Sequence, residues 1–243
     1  MRLGFIGTGT ISGAVVRGIA GDGHQITVSE RSRAVSRALA QSHANVTVAD
    51  NQSVVDQSDI VFVGLMADVA SAVLRALAFR ADQKVVSFMP GMPLDAVGQM
   101  VHPARAAALM LPFPAIARGD SPILVQGDAA LVREIFGARN TVVEMADDAE
   151  MAACLCAQAV LSPVVRMVGD AADWLGDRLS DPGKGEAFLR ALVSSSLSAS
   201  ACGPLIEALN TPGGYNQRLR LFMEESGMRD RLREGLDRLE ENG

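Results

Sequence analysis

The feature that most constrains this chain is its opening segment, Arg2-Leu3-Gly4-Phe5-Ile6-Gly7-Thr8-Gly9-Thr10-Ile11-Ser12-Gly13. Residues 2–6 read as a buried strand. The strand runs straight into a loop in which Gly7, Gly9 and Ser12 occupy the three small positions of the GxGxxG pattern. A helical pattern follows over residues 11–20. Gly7 permits a tight turn. Gly9 has no Cβ, so a pyrophosphate can approach the backbone. Ser12 is small enough for helix and strand to pack. The free amides at the helix start, around Thr10 and Ile11, suit phosphate oxygens, and Thr8 lies in the same loop. Strand, glycine loop and helix in this order imply dinucleotide binding.

The first half of the chain repeats this alternation. Strands are expected at residues 25–28, 45–48, 60–65 and 84–88, with amphipathic helices at 34–42 and 69–79 between them. This spacing predicts βαβ units in a parallel sheet. Further strands are expected at 107–111, 122–125 and 141–144, with a helix at 129–138. After residue 146 the pattern changes. Residues 147–175 read as one long apolar helix opened by Asp147, Asp148 and Glu150. Ser180-Asp181-Pro182-Gly183 breaks it. A second helix is expected from 185 to about 200, a short one from Cys202, a turn at Thr211-Pro212-Gly213-Gly214, and charged helices at 217–225 and 229–240. The fold class is therefore α/β: a Rossmann-type sheet at residues 1–146 and an all-helical domain at 147–243. Such apolar helices need a partner surface, and a symmetric homodimer through the helical domain is expected.

Charge and composition exclude other classes. The net charge is -6 and aromatics are 4%, so neither a basic stripe nor a stacking platform for nucleic acid is present. The three cysteines and three histidines show no metal-ligand spacing, so no metal site is expected. No run of 18 apolar residues is read as a membrane span, and the opening segment is unlike a signal peptide. A cytoplasmic protein without membrane partners is expected.

The second strand ends in Val28-Ser29-Glu30-Arg31-Ser32-Arg33. This is where an adenosine ribose lies in such folds. Glu30 suits ribose hydroxyls, as for NAD. Arg31, with Ser29, Ser32 and Arg33, suits a 2′-phosphate, because a guanidinium matches phosphate. NADP is favoured, with NAD as the alternative.

Several landmarks together resemble the pyrroline-5-carboxylate reductase family. Ile6-Gly7-Thr8-Gly9-Thr10-Ile11-Ser12 resembles its glycine loop. Asp59-Ile60-Val61-Phe62-Val63 resembles the strand leading to the nicotinamide, followed here by Leu65 and Met66. Val85-Val86-Ser87-Phe88-Met89-Pro90-Gly91-Met92-Pro93-Leu94-Asp95 resembles its strand, small-residue turn and helix. Thr211-Pro212-Gly213-Gly214 resembles its serine-proline-glycine-glycine turn, and residues 221–231 resemble the helix pair beyond. The resemblance runs from end to end. It implies a Rossmann domain, a helical dimerisation domain, and reduction of a cyclic imine to proline with NAD(P)H.

The departures lie around the substrate. Leu65-Met66-Ala67 stands where the family has valine-lysine-proline. Leu111-Pro112-Phe113-Pro114 replaces methionine-proline-asparagine-threonine-proline. Ala159-Val160-Leu161-Ser162-Pro163 replaces a serine- and glycine-rich segment. Tyr215-Asn216 replaces a threonine pair. In the family these last segments hold the substrate carboxylate.

Hydride transfer needs no protein nucleophile, so the candidates are groups that position an acceptor or give a proton. Tyr215, the only tyrosine, and Ser162 are the candidate catalytic residues. Tyr215 equally suits interface packing. Pro112, Phe113, Thr211, Gly213, Gly214 and Asn216 are the candidate substrate contacts, and Arg118 is placed to attract an acidic substrate. Leu65, Met66, Pro90 and Gly91 join the glycine loop and residues 29–32 as cofactor contacts. The expected activity is hydride transfer to the C=N bond of 1-pyrroline-5-carboxylate. Reduction of another imine or carbonyl, or a non-catalytic dinucleotide sensor, is the alternative.

Overall fold

The computed structural model describes residues 1–181 and 183–242. Pro182, expected in the break before the second long helix, lies outside the described residues. The chain divides into two compact units at Met151/Ala152.

The first unit is built on one sheet. Its strands are β1 (Arg2–Ile6), β2 (Gln25–Ser29), β3 (Val46–Ala49), β4 (Ile60–Val63), β5 (Lys84–Ser87), β6 (Arg105–Pro112), β7 (Pro122–Gly127) and β8 (Thr141–Glu144). They lie in the order β3-β2-β1-β4-β5-β6-β7-β8. The order reverses between β1 and β4, and a doubly wound sheet binds its ligand at that crevice. Alternation along β1, β4 and β5 explains why both faces are covered. Leu3, Phe5, Ile60, Phe62, Val86 and Phe88 point to one face. Ile6, Val61, Val63 and Val85 point to the other. The first face is covered by α1 (Thr10–Ile19), α2 (Arg33–Ser42) and α6 (Ala129–Phe136). The second is covered by α3 (Asn51–Asp56), α4 (Ala67–Arg75) and α5 (Leu94–Val101). Phe5 stacks on Phe62 with centroids 4.7 Å apart, and Phe136 meets Phe62 edge-on at 5.9 Å. That aromatic cluster ties β1, β4 and α6 together.

The sheet departs from expectation at one strand. β6 and β7 pair antiparallel, whereas the other neighbours pair parallel. No crossover helix separates β6 from β7. Only a 3₁₀ turn at Pro114–Ala117 lies between them, too short to return the chain to the same edge.

The second unit is helical. α7 (Asp148–Ala157), a 3₁₀ turn (Gln158–Val160) and α8 (Leu161–Gly176) follow one another, then α9 (Gly183–Ala199), α10 (Cys202–Ala208), α11 (Tyr215–Glu225) and α12 (Met228–Asn242). The single helix expected over 147–175 is therefore interrupted. Pro163 has no amide to donate to the carbonyl of Ala159, and the backbone tightens just before it. α8 and α9 form a hairpin, with Leu175 packed against Gly185.

Within helical residues 148–176 an 18-residue stretch has a mean hydropathy of 1.7, so one segment is long and apolar enough to cross a membrane by length and composition. The segment is not by itself evidence of a membrane protein. It carries an Arg166–Asp170 ion pair at 2.8 Å in its C-terminal half.

Candidate functional site

The cradle at the end of β1 follows from three small residues. Gly7 has φ +87°, and a Cβ there would collide with the Gly64 carbonyl at the end of β4. A side chain at Gly64 would in turn collide with the Ser12 hydroxyl and stand 3.1 Å from the Gly7 carbonyl oxygen. Ser12 itself is buried. The chain therefore passes from β1 into α1 pressed against the end of β4. Gly9 behaves differently. Its φ is -82°, open to any residue, and nothing lies within 4 Å of the Cβ it lacks. Gly9 caps α1 without a side-chain hydrogen bond. The amides of Thr10, Ile11 and Ser12 thus face the open space over Gly9 with no capping partner. This cradle fits a pyrophosphate.

Two candidate cofactor contacts have their side chains turned into the loop. Ser29 and Thr8 are buried. The Gly7 amide donates to Ser29 Oγ at 2.9 Å, and Thr8 Oγ1 donates to the Ser29 carbonyl at 2.8 Å. Their hydroxyls hold the glycine loop against the end of β2. Ser29 Oγ, a candidate contact for a 2′-phosphate, accepts the Gly7 amide and keeps its own O–H as a donor. Glu30 and Arg31 are exposed, and Ser32 is half-buried at the N-cap of α2 with no side-chain capping bond. Among the described residues, neither Arg31 nor Arg33 forms an ion pair.

Leu65 and Met66 follow β4, Pro90 and Gly91 follow β5, and Pro112 and Phe113 end β6. All lie at the same edge of the sheet as the cradle, because β1, β2, β4, β5 and β6 run parallel. Leu65 is half-buried against the core, Met66 is 75% exposed, and Phe113 is half-buried. Arg118 is carried away from this edge. The 3₁₀ turn before it packs on the last turn of α1, where a Cβ on Gly18 would collide with the Ile116 carbonyl.

The helical unit holds its candidates in two places. Ser162 is exposed in the first turn of α8. The others surround the turn before α11. The Gly214 amide donates to the Thr211 carbonyl at 2.9 Å, and Gly213 has φ +73°. With Pro212 ahead of it, this is a type II turn, which demands glycine at that position. Gln217 Oε1 accepts the Gly213 amide at 2.7 Å, and Gln217 Nε2 donates to Asn210 Oδ1 at 3.1 Å. Arg220 reaches the same Asn210 oxygen at 2.8 Å. The turn is thus fixed by α11's own side chains. Gly214 caps α11, Tyr215 is its first residue and 90% exposed, and Asn216 is exposed beside it.

Sequence reasoning missed Gly64 and the Ser29–Gly7 bond. The signal for Gly64 is a glycine directly after the strand that neighbours β1. No pairwise pattern signals the Ser29 bond.

With this geometry in place, comparison with known proteins is informative. The whole chain superposes on the pyrroline-5-carboxylate reductase of Streptococcus pyogenes with a TM-score of 0.83, 19% identity, and coverage of 100% of this chain and 97% of that one. The fold is that of the pyrroline-5-carboxylate reductases. The Plasmodium falciparum pyrroline carboxylate reductase, solved with NADP bound, superposes at 0.81 with 14% identity, covering 100% of this chain and 96% of that one. The Coxiella burnetii enzyme superposes at 0.81 with 15% identity, covering 99% and 96%. A family model described as NADP oxidoreductase, coenzyme F420-dependent, matches residues 2–91. No curated protein sequence matches the chain. Among the described residues, no cluster of histidine, cysteine and acidic side chains is suited to a metal ion.

Proposed function

We propose that the protein is an NAD(P)H-dependent reductase of the pyrroline-5-carboxylate reductase type, acting on the C=N bond of a small cyclic imine. The observation that carries this reading is the open cradle over Gly9, set in a fold shared along its whole length with those reductases. Gly9, Thr10, Ile11 and Ser12 hold the pyrophosphate through backbone amides. Arg31 and Ser32 hold an adenosine 2′-phosphate, which favours NADP, and Glu30 is the group that would favour NAD. Bound NADPH supplies the hydride. Leu65, Met66, Pro90 and Gly91 exclude water from the reacting end. Tyr215 is proposed to give a proton to the imine nitrogen, with Ser162 as the second catalytic residue, and Pro112, Phe113, Thr211, Gly213, Gly214 and Asn216 are proposed as substrate contacts.

The domain assignment follows the same reading, with nucleotide binding at residues 1–146 and acceptor binding and dimerisation at 147–243. The helical unit supports a homodimer. It exposes Leu161, Val165, Trp174, Phe188, Leu192 and Phe222, and among its described residues Ala172 is the only buried apolar side chain apart from glycine. An isolated unit with so little core is not stable in water, and a second copy of the same apolar helices covers it. A cytoplasmic enzyme of proline formation is consistent with this reading.

The test is consumption of NADPH and NADH in the presence of 1-pyrrolines, with sedimentation to give the oligomeric state. Turnover that is faster with NADPH, by a dimer or a multiple of it, is expected. Tight NADPH binding with no turnover of any imine or carbonyl would favour the sensor reading instead.

A further inference from the structure

Arg17 stands in the last turn of α1, where a guanidinium commonly reaches forward to the final carbonyls of its helix. Its head group points the other way. A Cβ on Gly13 would stand 3.5 and 3.9 Å from Arg17 Nη1 and Nη2, and 3.0 Å from Val35 Cγ1. The guanidinium is therefore folded back by one turn, about 6 Å along the helix, over a glycine that leaves it room. The Gly18 carbonyl near the end of α1 is served from elsewhere, by Arg139, which also pairs with Asp22 at 2.8 Å. Val35 lies in the first turn of α2, three residues beyond Ser32. The head group of Arg17 thus lies beside the turn that carries Arg31 and Ser32. It is exposed and, among the described residues, has neither an ion pair nor a hydrogen bond, so its donors are unspent.

Charge gives this placement a use. Residues 29–33 carry Arg31 and Arg33 against Glu30, a net charge of +1. A phosphate monoester carries about −1.5 to −2 at neutral pH. Glu30 repels it and favours free ribose hydroxyls. One further guanidinium from α1 raises the local charge to +2, which matches the phosphate and outweighs Glu30. We propose that Arg17 is a specificity-determining residue for the cofactor: it approaches the adenosine 2′-phosphate from α1 while Arg31 holds it from the end of β2. This deepens the NADP reading and rests on it.

The experiment measures dissociation constants of NADPH and NADH by fluorescence titration for the unaltered protein, Arg17→Ala and Arg75→Ala. Adenosine 2′,5′-bisphosphate and 5′-AMP, which differ only in the 2′-phosphate, are titrated by calorimetry as a second readout. Arg17→Ala is expected to weaken NADPH and the bisphosphate about tenfold and to change NADH and 5′-AMP by less than about twofold. Arg75→Ala removes the same charge from the last turn of α4, on the other face of the sheet, and is expected to leave all four constants unchanged. Preference for NADPH undiminished in Arg17→Ala would overturn the inference and leave the NADP reading standing. Equal weakening of NADPH in Arg17→Ala and Arg75→Ala would reduce the effect to net charge and overturn it. Loss of NADPH and NADH alike in Arg17→Ala would mark a structural role and overturn it as well. An unaltered protein that binds NADPH no more tightly than NADH would overturn the inference and the NADP reading together.

Discussion

The Ser29 hydroxyl accepts the Gly7 amide at 2.9 Å, across the gap between the ends of β2 and β1. It is a buried bond that pins the first glycine of the loop. Ser29→Ala leaves the Gly7 amide buried without a partner, which costs about 1–3 kcal/mol. Lower stability in denaturant is expected, together with weaker NADPH binding, since the loop is no longer held in its binding geometry. Stability lost with NADPH affinity unchanged would show that the bond supports the fold alone.

Gly7 and Gly9 should separate fold from binding. Gly7→Ala meets both a positive φ and the Gly64 carbonyl, so it should destabilise the protein by at least about 2 kcal/mol. Gly9→Val enters open space at an ordinary φ and should change stability by about 1 kcal/mol or less. It should nevertheless abolish NADPH binding, because the side chain fills the cradle. Thermal melting and NADPH fluorescence titration on both variants check this. Retained binding in Gly9→Val would move the pyrophosphate elsewhere.

Arg31 carries no ion pair among the described residues and stands next to Glu30 at the end of β2. Arg31→Ala is expected to weaken NADPH by roughly tenfold to a hundredfold while leaving NADH nearly unchanged. Equal losses for the two cofactors would remove Arg31 from the 2′-phosphate.

Asp128 caps α6 by accepting the Leu131 amide at 3.0 Å, with Lys84 3.5 Å away. The amide first, and then the lysine charge, hold its carboxyl below the usual carboxylate range. A carboxyl depressed in the folded state stabilises above its unfolded pKa, near about 4, and that contribution is lost as pH falls through the lower folded value. Asp128→Ala should cost about 1 kcal/mol at neutral pH. Denaturation from pH 7 to pH 3 should show the gap to the unaltered protein closing at the acid end.

Much of this was legible in the residues. The spacing Gly7, Gly9, Ser12 after an apolar run is forced by close approach of helix, strand and phosphate, so it survives at low identity. The eight strands were readable because residues such as Ile60 to Val63 are apolar on both faces. The reversal at β7 was hidden, since strand direction depends on the length of the connection and not on the strand's own residues. The break before Pro163 was also overlooked in a strongly apolar run. At the site, sequence placed Ser29 beside the ribose, as its position in the chain suggests. Burial turned its hydroxyl inward to satisfy the Gly7 amide, a long-range demand that no local pattern carries.

The central claim is hydride transfer from NADPH to a C=N carbon. The most direct measurement uses NADPH deuterated at C4, on the transferred face, with a 1-pyrroline acceptor, and mass spectrometry of the amine formed. The account predicts one deuterium on the former imine carbon and none when Gly9→Val replaces the unaltered protein. Amine without deuterium, or no amine from a protein shown to bind NADPH, would contradict it.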